Sequence, residues 1–267
     1  MKILVTGATG NIGRMVVDHL LAAGADDVRA LTNNPERAAL PAGVEVAEGY
    51  LRRVASLPAA LDGVDRMYLA PVLETVDEVV QLAKDAGIRQ IVDLSGDANT
   101  EWQPIAHAVE KSGADWTHLY AGEFTENTAM WADQVRSTGQ VREPYPDSAN
   151  APITMDDIAR VAATVLLSDG HEGRTYNLTG PETLTRAARV QQLAEVIGSP
   201  VEFVKVSRAE LIQLLTPTMG EYAEWYADGL AMMVDHPIPA NTTVADITGA
   251  PGTTFKQWAA AHADLFR

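Results

Sequence analysis

The chain has 267 residues, of which 46% are hydrophobic and 21% charged, and it contains no cysteine. This apolar fraction is too high for a disordered chain, and the length allows one large domain or one domain with an appendage. No apolar run approaches the roughly 18 residues that span a bilayer, which excludes a membrane-spanning helix. The lack of cysteine excludes disulfides, thiolate catalysis and cysteine-based metal sites.

The charge balance and the first residues limit which kinds of partner and which cellular location we expect. Acidic residues outnumber basic ones 36 to 20, for a formal net charge of −16. Nucleic-acid phosphates need clustered Lys and Arg, so this balance argues against a nucleic-acid partner. The apolar stretch in MKILVTGATG is too short for the core of a signal peptide. We therefore expect a cytoplasmic protein, monomeric or homodimeric, with a small-molecule substrate and no nucleic-acid or membrane partner.

Short apolar runs alternate with amphipathic stretches over the first 120 residues. Strands are predicted at 2–5, 28–31, 44–47, 66–70, 91–94 and 116–120. Helices are predicted at 73–86, at 102–112 and where apolar residues recur at helical spacing, namely Ile12, Val16, Val17, Leu20 and Leu21. Strands that alternate with helices form βαβ units, which require a parallel sheet with helices on both faces.

The pattern changes after about residue 122. Thr154 and Asp157 stand at capping-box spacing, which predicts a helix from Met155. Further helices are predicted at 186–197 and after the capping patterns that begin at Ser207 and Thr254. Short strands are predicted at 175–178 and 201–206.

The strongest local signal is TGATGNIG, which stands between the first predicted strand and the first helix. Gly7 permits a tight turn, Gly10 lets a phosphate approach the backbone, and Gly13 lets the helix pack close to the sheet. The N–H groups that open the helix favour a pyrophosphate, although a glycine-rich turn without a ligand is the alternative. The segment predicts a cofactor site formed by Gly7, Thr9, Gly10, Asn11, Ile12 and Gly13.

These patterns predict an α/β fold, a Rossmann-type doubly wound parallel sheet with a smaller C-terminal α+β substrate-binding lobe. We place the dinucleotide-binding core at residues 1–122 and the lobe, packed on the core, at 123–267. The two are expected to form one structural unit that is interleaved around residues 150–180.

Four segments carry a family resemblance: TGATGNIG, VRALTNNPERA, HAVEKSGADWTHLYAGEFTEN and HEGRTYNLTGPETLT. They make the chain similar to the NmrA-like atypical short-chain dehydrogenase/reductases, clearly over about residues 1–206 and loosely beyond. The resemblance implies an NAD(P)-binding Rossmann fold. It does not define the reaction, because that family combines NAD(P)H-dependent quinone, enone and ether reductases with regulators that bind dinucleotide without catalysis.

The end of the second strand usually selects the cofactor, through an acidic residue for NAD or an arginine for NADP. This chain has neither, and family members that prefer NADP commonly carry a basic residue where Asn33 stands. Arg37, one turn further, or Arg29 in the strand is able to reach a 2′-phosphate instead, and the alternative for Arg37 is a solvated side chain. We favour NADP(H) slightly over NAD(H).

Two further departures from the family lie around the same predicted site. Tyr50 stands where the family usually has an aspartate that bonds the adenine, and it is expected to stack on the purine instead. Tyr120 and Ala121 stand where the family typically has arginine and proline. The departures are consistent with an altered ligand or with a divergent but normal dinucleotide site.

The proton-donating dyad that other members of the superfamily use, Tyr-x-x-x-Lys, occurs nowhere in this chain. With the helix aligned on Glu110, its two positions fall at Trp102 and Ala106, neither of which transfers a proton. His107, with Lys111 one turn on, resembles a substitute, but a structural role is favoured for it. No third ligand stands at metal-site spacing from His107 and Glu110, so no metal site is predicted.

Ligand-binding residues are expected beyond the carboxyl ends of the strands. Ser95 and Tyr120 are the candidate catalytic residues. Ser95 is expected to bond a carbonyl or to cap a turn, and Tyr120 to donate a proton or to pack against the nicotinamide. Ala70 and Pro71 are expected beside them at the cofactor. Glu123, Phe124 and Asn127 are expected to bind substrate, and the aromatic stretch 219–233 packs as a helix or covers a flat substrate.

Three functions remain open from the sequence. The first is an NAD(P)H-dependent reductase of a small, flat, apolar acceptor of quinone or enone type, which the missing dyad disfavours less than alcohol or ketone chemistry. The second is a non-redox enzyme on the same scaffold, such as a lyase, isomerase or cyclase of a secondary metabolite. The third is a dinucleotide-sensing regulator without catalysis.

Overall fold

The computed structural model describes residues 1–96 and 102–267. Its strands are β1 (Ile3–Val5), β2 (Val28–Thr32), β3 (Glu45–Glu48), β4 (Arg66–Leu69), β5 (Gln90–Asp93), β6 (Asp115–Ala121), β7 (Gln140–Glu143), β8 (Ala149–Asn150), β9 (Arg174–Leu178), β10 (Leu184–Thr185) and β11 (Glu202–Lys205). Its helices are α1 (Asn11–Ala22), α2 (Pro58–Leu61), α3 (Val76–Asp85), α4 (Gln103–Lys111), α5 (Ala132–Thr138), α6 (Met155–Leu167), α7 (Arg186–Ile197), α8 (Arg208–Met219), α9 (Tyr222–Asp235), α10 (Thr243–Thr248) and α11 (Phe255–Ala261). Short 3₁₀ turns cover Pro35–Arg37, Val54–Ser56, Leu73–Thr75, Thr125–Trp131 and Ala263–Leu265.

The described chain divides into two compact units, and the first comprises Met1–Ala121, Met155–Leu178 and Thr243–Ala250. Its described residues form a seven-stranded sheet in the order β3-β2-β1-β4-β5-β6-β9, and every neighbouring pair is parallel. The strand order reverses between β1 and β4. Ligands of open α/β sheets bind at such a switch point, beyond the carboxyl ends of the strands. The predicted Rossmann-type sheet is confirmed.

The central strands form because their apolar runs are covered on both faces. All residues of β1 and β2 are buried, as expected for parallel strands between two layers of helices. The predicted first helix is confirmed as α1, and its buried stripe is Gly13, Val16, Val17 and Leu20. By contrast, β3 is mostly exposed because it is the edge strand.

The second unit comprises Gly122–Thr154, Thr179–Thr242 and Pro251–Arg267. It contains two small sheets, antiparallel β8–β10 and parallel β7–β11, which are held by buried aromatic and aliphatic side chains. The predicted caps occur where they were expected: the Ser207 hydroxyl accepts the Glu210 N–H, and Thr254 with Gln257 forms a full capping box. Gly198 ends α7 in the left-handed conformation.

The remaining differences from the predicted elements are local. The predicted helix at 73–86 is a 3₁₀ turn followed by α3, and β7, β8 and β10 were not predicted because four residues or fewer give no clear periodicity. Thr243–Ala250 is assigned to the first unit although it lies far along the chain. Within the described ranges, no helix is both long and apolar enough to cross a bilayer.

Candidate active site

The turn between β1 and α1 brings the predicted glycines together. Gly7 has a φ of 60°, in the left-handed region that favours glycine. The Gly10 N–H donates to the Gly7 carbonyl oxygen at 2.8 Å, which closes the turn. A Cβ at position 13 would lie 2.7 Å from the Gly7 carbonyl carbon and closer still to its oxygen. Only glycine therefore fits at position 13 while α1 packs against this turn.

The first turn of α1 leaves backbone donors for an anion. Across residues 1–96 and 102–267, no side chain caps the start of this helix at Gly10. The N–H groups of Asn11, Ile12 and Gly13 therefore lack helical partners and lie at the positive end of the helix dipole. A Cβ at Gly10 would stand 3.2 Å from the Gly7 oxygen, so bare backbone borders the turn. These features fit the pyrophosphate of a dinucleotide.

Polar groups follow β2, at the edge where a Rossmann sheet binds the ribose. The buried Thr32 hydroxyl lies 3.5 Å from the Thr9 hydroxyl and accepts the Asn34 N–H at 3.2 Å. The Asn34 side chain in turn accepts the Arg37 N–H at 3.2 Å, which starts the 3₁₀ turn. The side chains of Asn33 and Arg37 are exposed. This edge therefore presents amide and guanidinium groups, with no carboxylate in the segment from Thr32 to Asn34.

Two further arginines, Arg29 and Arg14, bear on the prediction for the 2′-phosphate. Arg29 does not reach the carboxyl end of β2, because its guanidinium donates to the Ala60 and Asp62 carbonyls at 2.7 Å each and pairs with Glu45. Arg14, which sequence reasoning missed, extends towards the Ala38 carbonyl oxygen at 3.5 Å. The signal for Arg14 was its position directly after Gly13, on the helix that follows the phosphate turn.

We expect Arg37→Ala to raise the Kd for NADPH about 10-fold and to change the Kd for NADH less than about 2-fold. The reason is that a guanidinium–phosphate bond exists only with the 2′-phosphate. Calorimetric titration of both nucleotides measures this difference. Arg89→Ala is the matched control, because Arg89 is equally solvated but immediately precedes β5, at the opposite edge of the sheet. Equal weakening of both nucleotides by Arg37→Ala would contradict the assignment.

The predicted adenine neighbour, Tyr50, follows β3 with a ring that is 39% exposed. Its N–H donates to the Ser56 hydroxyl at 3.0 Å, which holds the segment after β3. Gly49 packs closely on Leu31, since a Cβ there would lie 2.7 Å from the Leu31 side chain. The stacking of Tyr50 on adenine stays a prediction.

The nicotinamide end of the predicted site lies after β4, β5 and β6. The Ala70 N–H donates to the Thr6 hydroxyl at 2.8 Å, and Gly7 packs against the Ala70 methyl group. The segment of Ala70 and Pro71 therefore lies beside the phosphate turn. The Ser95 side chain is 1% exposed, and its hydroxyl has no partner within the described ranges. A buried hydroxyl without a partner is costly, and the contact of Ser95 with a ligand stays a prediction.

The two positions predicted for the missing dyad, Trp102 and Ala106, lie at and near the start of α4. Ala106 is buried, and Trp102 is 42% exposed. The Trp102 indole packs on Gly96, where a Cβ would approach it to 2.6 Å. His107 is exposed on α4 and is not part of this edge. A flat indole therefore packs on the backbone of Gly96, directly after Ser95.

The buried imidazole of this region belongs to His118, which sequence reasoning did not assign to chemistry. Its Nδ1 atom lies 2.6 Å from Asp93 Oδ2, and its Nε2 atom lies 3.5 Å from Glu110 Oε1. The ring is stacked between Trp116 and Tyr120, at centroid distances of 4.3 and 6.3 Å. The signal was the alternation along β6, which places these three rings on one face.

In the second unit, the predicted substrate residue Glu123 is enclosed by protein donors. Its carboxylate accepts from Arg186 at 2.9 Å, from Arg189 at 2.8 Å and from the Asn150 amide at 2.8 Å. Burial would raise the pKa of this carboxyl, but the two guanidinium charges and these hydrogen bonds lower the pKa to about 2. Glu123 is thus an ionised anchor, and its contact with substrate stays a prediction.

The same anchor connects to a second carboxylate. Arg186 also donates to Glu143 at 2.7 and 2.6 Å, and its guanidinium lies 4.7 Å from the centre of the Trp131 ring. The Tyr226 hydroxyl lies 3.1 Å from Arg186, so α9 is tied to this cluster. Two carboxylates neutralise two guanidinium groups, which is what allows four charges to be buried together.

The other predicted substrate residues lie on the segment that follows Glu123. Phe124 is half-buried and bridges to Ile153, and the Asn127 N–H donates to the Phe124 carbonyl at 3.0 Å. Their contact with substrate stays a prediction. No group of metal-binding side chains occurs in residues 1–96 and 102–267.

Comparisons with known proteins agree with this geometry. The NmrA-like family matches residues 1–236. A (4-alkanoyl-5-oxo-2,5-dihydrofuran-3-yl)methyl phosphate reductase of Streptomyces griseus is 37% identical over 99% of both chains.

Two solved structures are also similar over nearly the whole chain. The triphenylmethane reductase of Citrobacter sp., complexed with NADP(H), is 26% identical with a TM-score of 0.87, over 98% of this chain and 100% of that one. The NADPH-dependent quinone oxidoreductase of Escherichia coli, complexed with NADPH, is 27% identical with a TM-score of 0.88, over 97% and 99%. The chain therefore belongs to the NmrA-like family and is an oxidoreductase of that family.

Proposed function

We propose that this oxidoreductase uses NADP(H) to reduce a flat, conjugated, apolar acceptor of enone or quinone type. The observation that carries the proposal is the lack of a Tyr-x-x-x-Lys dyad in the sequence, together with the Trp102 indole that packs on Gly96, next to the buried hydroxyl of Ser95. Saturated ketones need a positioned general acid at the carbonyl oxygen when hydride adds to carbon. Conjugated acceptors delocalise the negative charge, so a weaker donor is sufficient.

The chain's own residues supply binding and orientation. The N–H groups at the start of α1 would hold the pyrophosphate, and Arg37 the 2′-phosphate, with NADPH supplying a hydride when bound. Ser95 would donate its hydroxyl proton to the acceptor's carbonyl oxygen. Trp102 would offer a flat apolar face to a planar acceptor, and Tyr120 would pack beside the nicotinamide or act as a second donor.

The relatives support this substrate class. The name of the Streptomyces griseus enzyme describes a dihydrofuranone ring with an alkanoyl substituent, which is a conjugated acceptor, and the two structural neighbours act on a quinone and on triphenylmethane dyes. All three acceptors are conjugated, and the first also carries a phosphate ester. A cytoplasmic location and a monomeric or homodimeric state stay predictions.

The test is NADPH oxidation with a panel of an enone, a quinone and a saturated ketone. We expect kcat/KM for the enone or quinone to exceed that for the ketone by at least about 100-fold. Ser95→Ala should lower kcat by about 10-fold or more, whereas the matched control Ser112→Ala should not, because the Ser112 hydroxyl bonds the Val109 carbonyl at the far end of α4. Binding of NADPH without oxidation by any acceptor would contradict the proposal and favour a non-redox enzyme or a regulator.

A further inference from the structure

Three polar side chains, those of Glu110, His118 and Asp93, form a line through the otherwise apolar interior on the α4 side of the sheet. Asp93 and His118 are 0% and 1% exposed at their side chains, whereas Glu110 is 42% exposed. They lie in the order Glu110, His118, Asp93. His118 Nδ1 and Asp93 Oδ2 are hydrogen-bonded at 2.6 Å, whereas Glu110 Oε1 approaches His118 Nε2 to 3.5 Å without a hydrogen bond. Trp116 stacks on His118, and the hydrophobic cluster of this interior includes Ile91, Ile105 and Trp116. This line of side chains runs from solvent at Glu110 to the buried carboxylate of Asp93.

The strand geometry extends this line towards the reactive edge. Asp93 is paired with His118 across β5 and β6. The Leu94 N–H donates to the Leu69 carbonyl, so the strand pattern continues past Asp93. Residues two apart on a strand share a face, so Ser95 follows Asp93 on that face at about 7 Å along the strand. Asp93 Oδ1 and the Ser95 hydroxyl are both buried without a partner within the described ranges.

A contribution to stability alone does not explain why these polar side chains are buried here. Buried ion pairs are often replaceable by apolar pairs without loss of stability. The stacked rings of Trp116 and Tyr120 cover both faces of the imidazole, which fixes its orientation towards the two carboxylates. An imidazole held between two carboxylates can accept a proton on one nitrogen and release one from the other.

We propose that Glu110, His118 and Asp93 are positioning residues that deliver solvent protons to the Ser95 hydroxyl during reduction. The inference rests on the proposed function. Reduction of a conjugated C=C adds a hydride, with its electron pair, to the β carbon and leaves an enolate. Ser95 gives its hydroxyl proton to the enolate and takes one from Asp93 through a water that would bridge the two oxygen atoms, which are not hydrogen-bonded to each other. His118 passes its Nδ1 proton to Asp93 and takes a proton from Glu110 on Nε2. Glu110 then takes the replacement proton from water.

The test separates proton delivery from hydride delivery with two kinds of acceptor. An enone or quinone needs a hydride and a proton, whereas a cationic triphenylmethane dye needs only a hydride to become neutral. The variant is the double substitution Asp93→Leu with His118→Leu, which leaves an apolar pair and no isolated buried charge. We expect kcat with the enone or quinone to fall about 100-fold, with KM, the Kd for NADPH and the rate with the dye changed less than about 3-fold.

Two readouts keep the test decisive if the dye is not turned over. The solvent deuterium isotope effect on kcat should rise in the double variant, because proton transfer then limits the rate. In proton NMR of the ligand-free protein, the Nδ1 proton of His118 should appear far downfield and vanish in Asp93→Asn, as expected for the 2.6 Å contact with Asp93. The control His19→Leu with Asp156→Leu removes another imidazole–carboxylate contact, of 2.8 Å, that lies outside the site.

Each contrary outcome has a distinct meaning. If the double variant keeps kcat within about 3-fold, or loses NADPH affinity and activity with every acceptor equally, the relay is overturned and the pair is structural. If the wild-type protein oxidises NADPH with neither the enone nor the quinone, the proposed function itself fails.

Discussion

Gly13→Ala is expected to raise the Kd for NADPH by at least about 100-fold. The added methyl group would meet the carbonyl group and amide nitrogen of the Gly7–Ala8 peptide, which are backbone atoms and cannot rotate away. Helix α1 would have to move off the turn, at a cost of about 1–3 kcal/mol in folding free energy. That movement also displaces the N–H groups of Asn11 and Ile12 from the position where an anion would bind.

Gly229→Ala is the matched control for this substitution. Gly229 lies within α9, and a Cβ there would meet nothing within 4 Å. Alanine at an open helical position should stabilise the protein by about 0.5–1 kcal/mol and leave NADPH binding unchanged. Calorimetric titration and thermal unfolding of the two variants measure both quantities. NADPH binding by Gly13→Ala within a few-fold of the wild type would show that the close approach of α1 is not what forms the site.

Glu123→Ala is expected to destabilise the protein by roughly 3–5 kcal/mol at neutral pH, because it leaves Arg186 and Arg189 buried with one carboxylate fewer. Both arginine side chains are at most 3% exposed, so water cannot replace the lost partner without opening the unit. Urea unfolding measures the change. Glu195→Gln, in the same unit, removes only an exposed pair with Lys256 and should cause no measurable change.

The same carboxylate should make stability depend on pH. The pKa of Glu123 is lowered from an ordinary value of 4.5 to about 2 in the folded protein. A lowered folded-state pKa stabilises the protein fully above the unfolded pKa, and this contribution is lost as the pH falls from about 5 to about 2. The shift corresponds to roughly 3 kcal/mol. Glu123→Gln should therefore show a flatter stability profile between pH 5 and 2 than the wild type, and parallel profiles would contradict this role.

The sequence predicted best those features that depend on neighbours along the chain. The turn from Gly7 to Gly13, the stripe of α1 and the caps at Ser207 and Thr254 each depend on residues within about four positions. Their spacing alone determines the local backbone, and the structure has them where the sequence predicted them. The alternation along β6 likewise depends only on nearby residues, and the rings of Trp116, His118 and Tyr120 lie on one face of this strand.

The features that the sequence could not predict depend on partners far along the chain. The ion pairs of Glu123 could not be predicted, because its partners Arg186 and Arg189 lie 63 and 66 positions away. Arg29 was expected as one candidate for the 2′-phosphate, but its guanidinium donates to the carbonyls of Ala60 and Asp62, which lie 31 and 33 positions away. Asp93 and His118 meet only because β5 and β6 pair in one particular register. No local pattern contains that information.

The most direct test of the account follows the hydride itself. NADPH labelled with deuterium at one face of C4 is incubated with the protein and an enone, and the product is analysed by NMR. The account predicts one deuterium at the β carbon from only one of the two C4 epimers, and a solvent-derived proton at the α carbon. A product without deuterium from either epimer, or no product while NADPH is bound, would contradict the assignment of this chain as a hydride-transferring reductase.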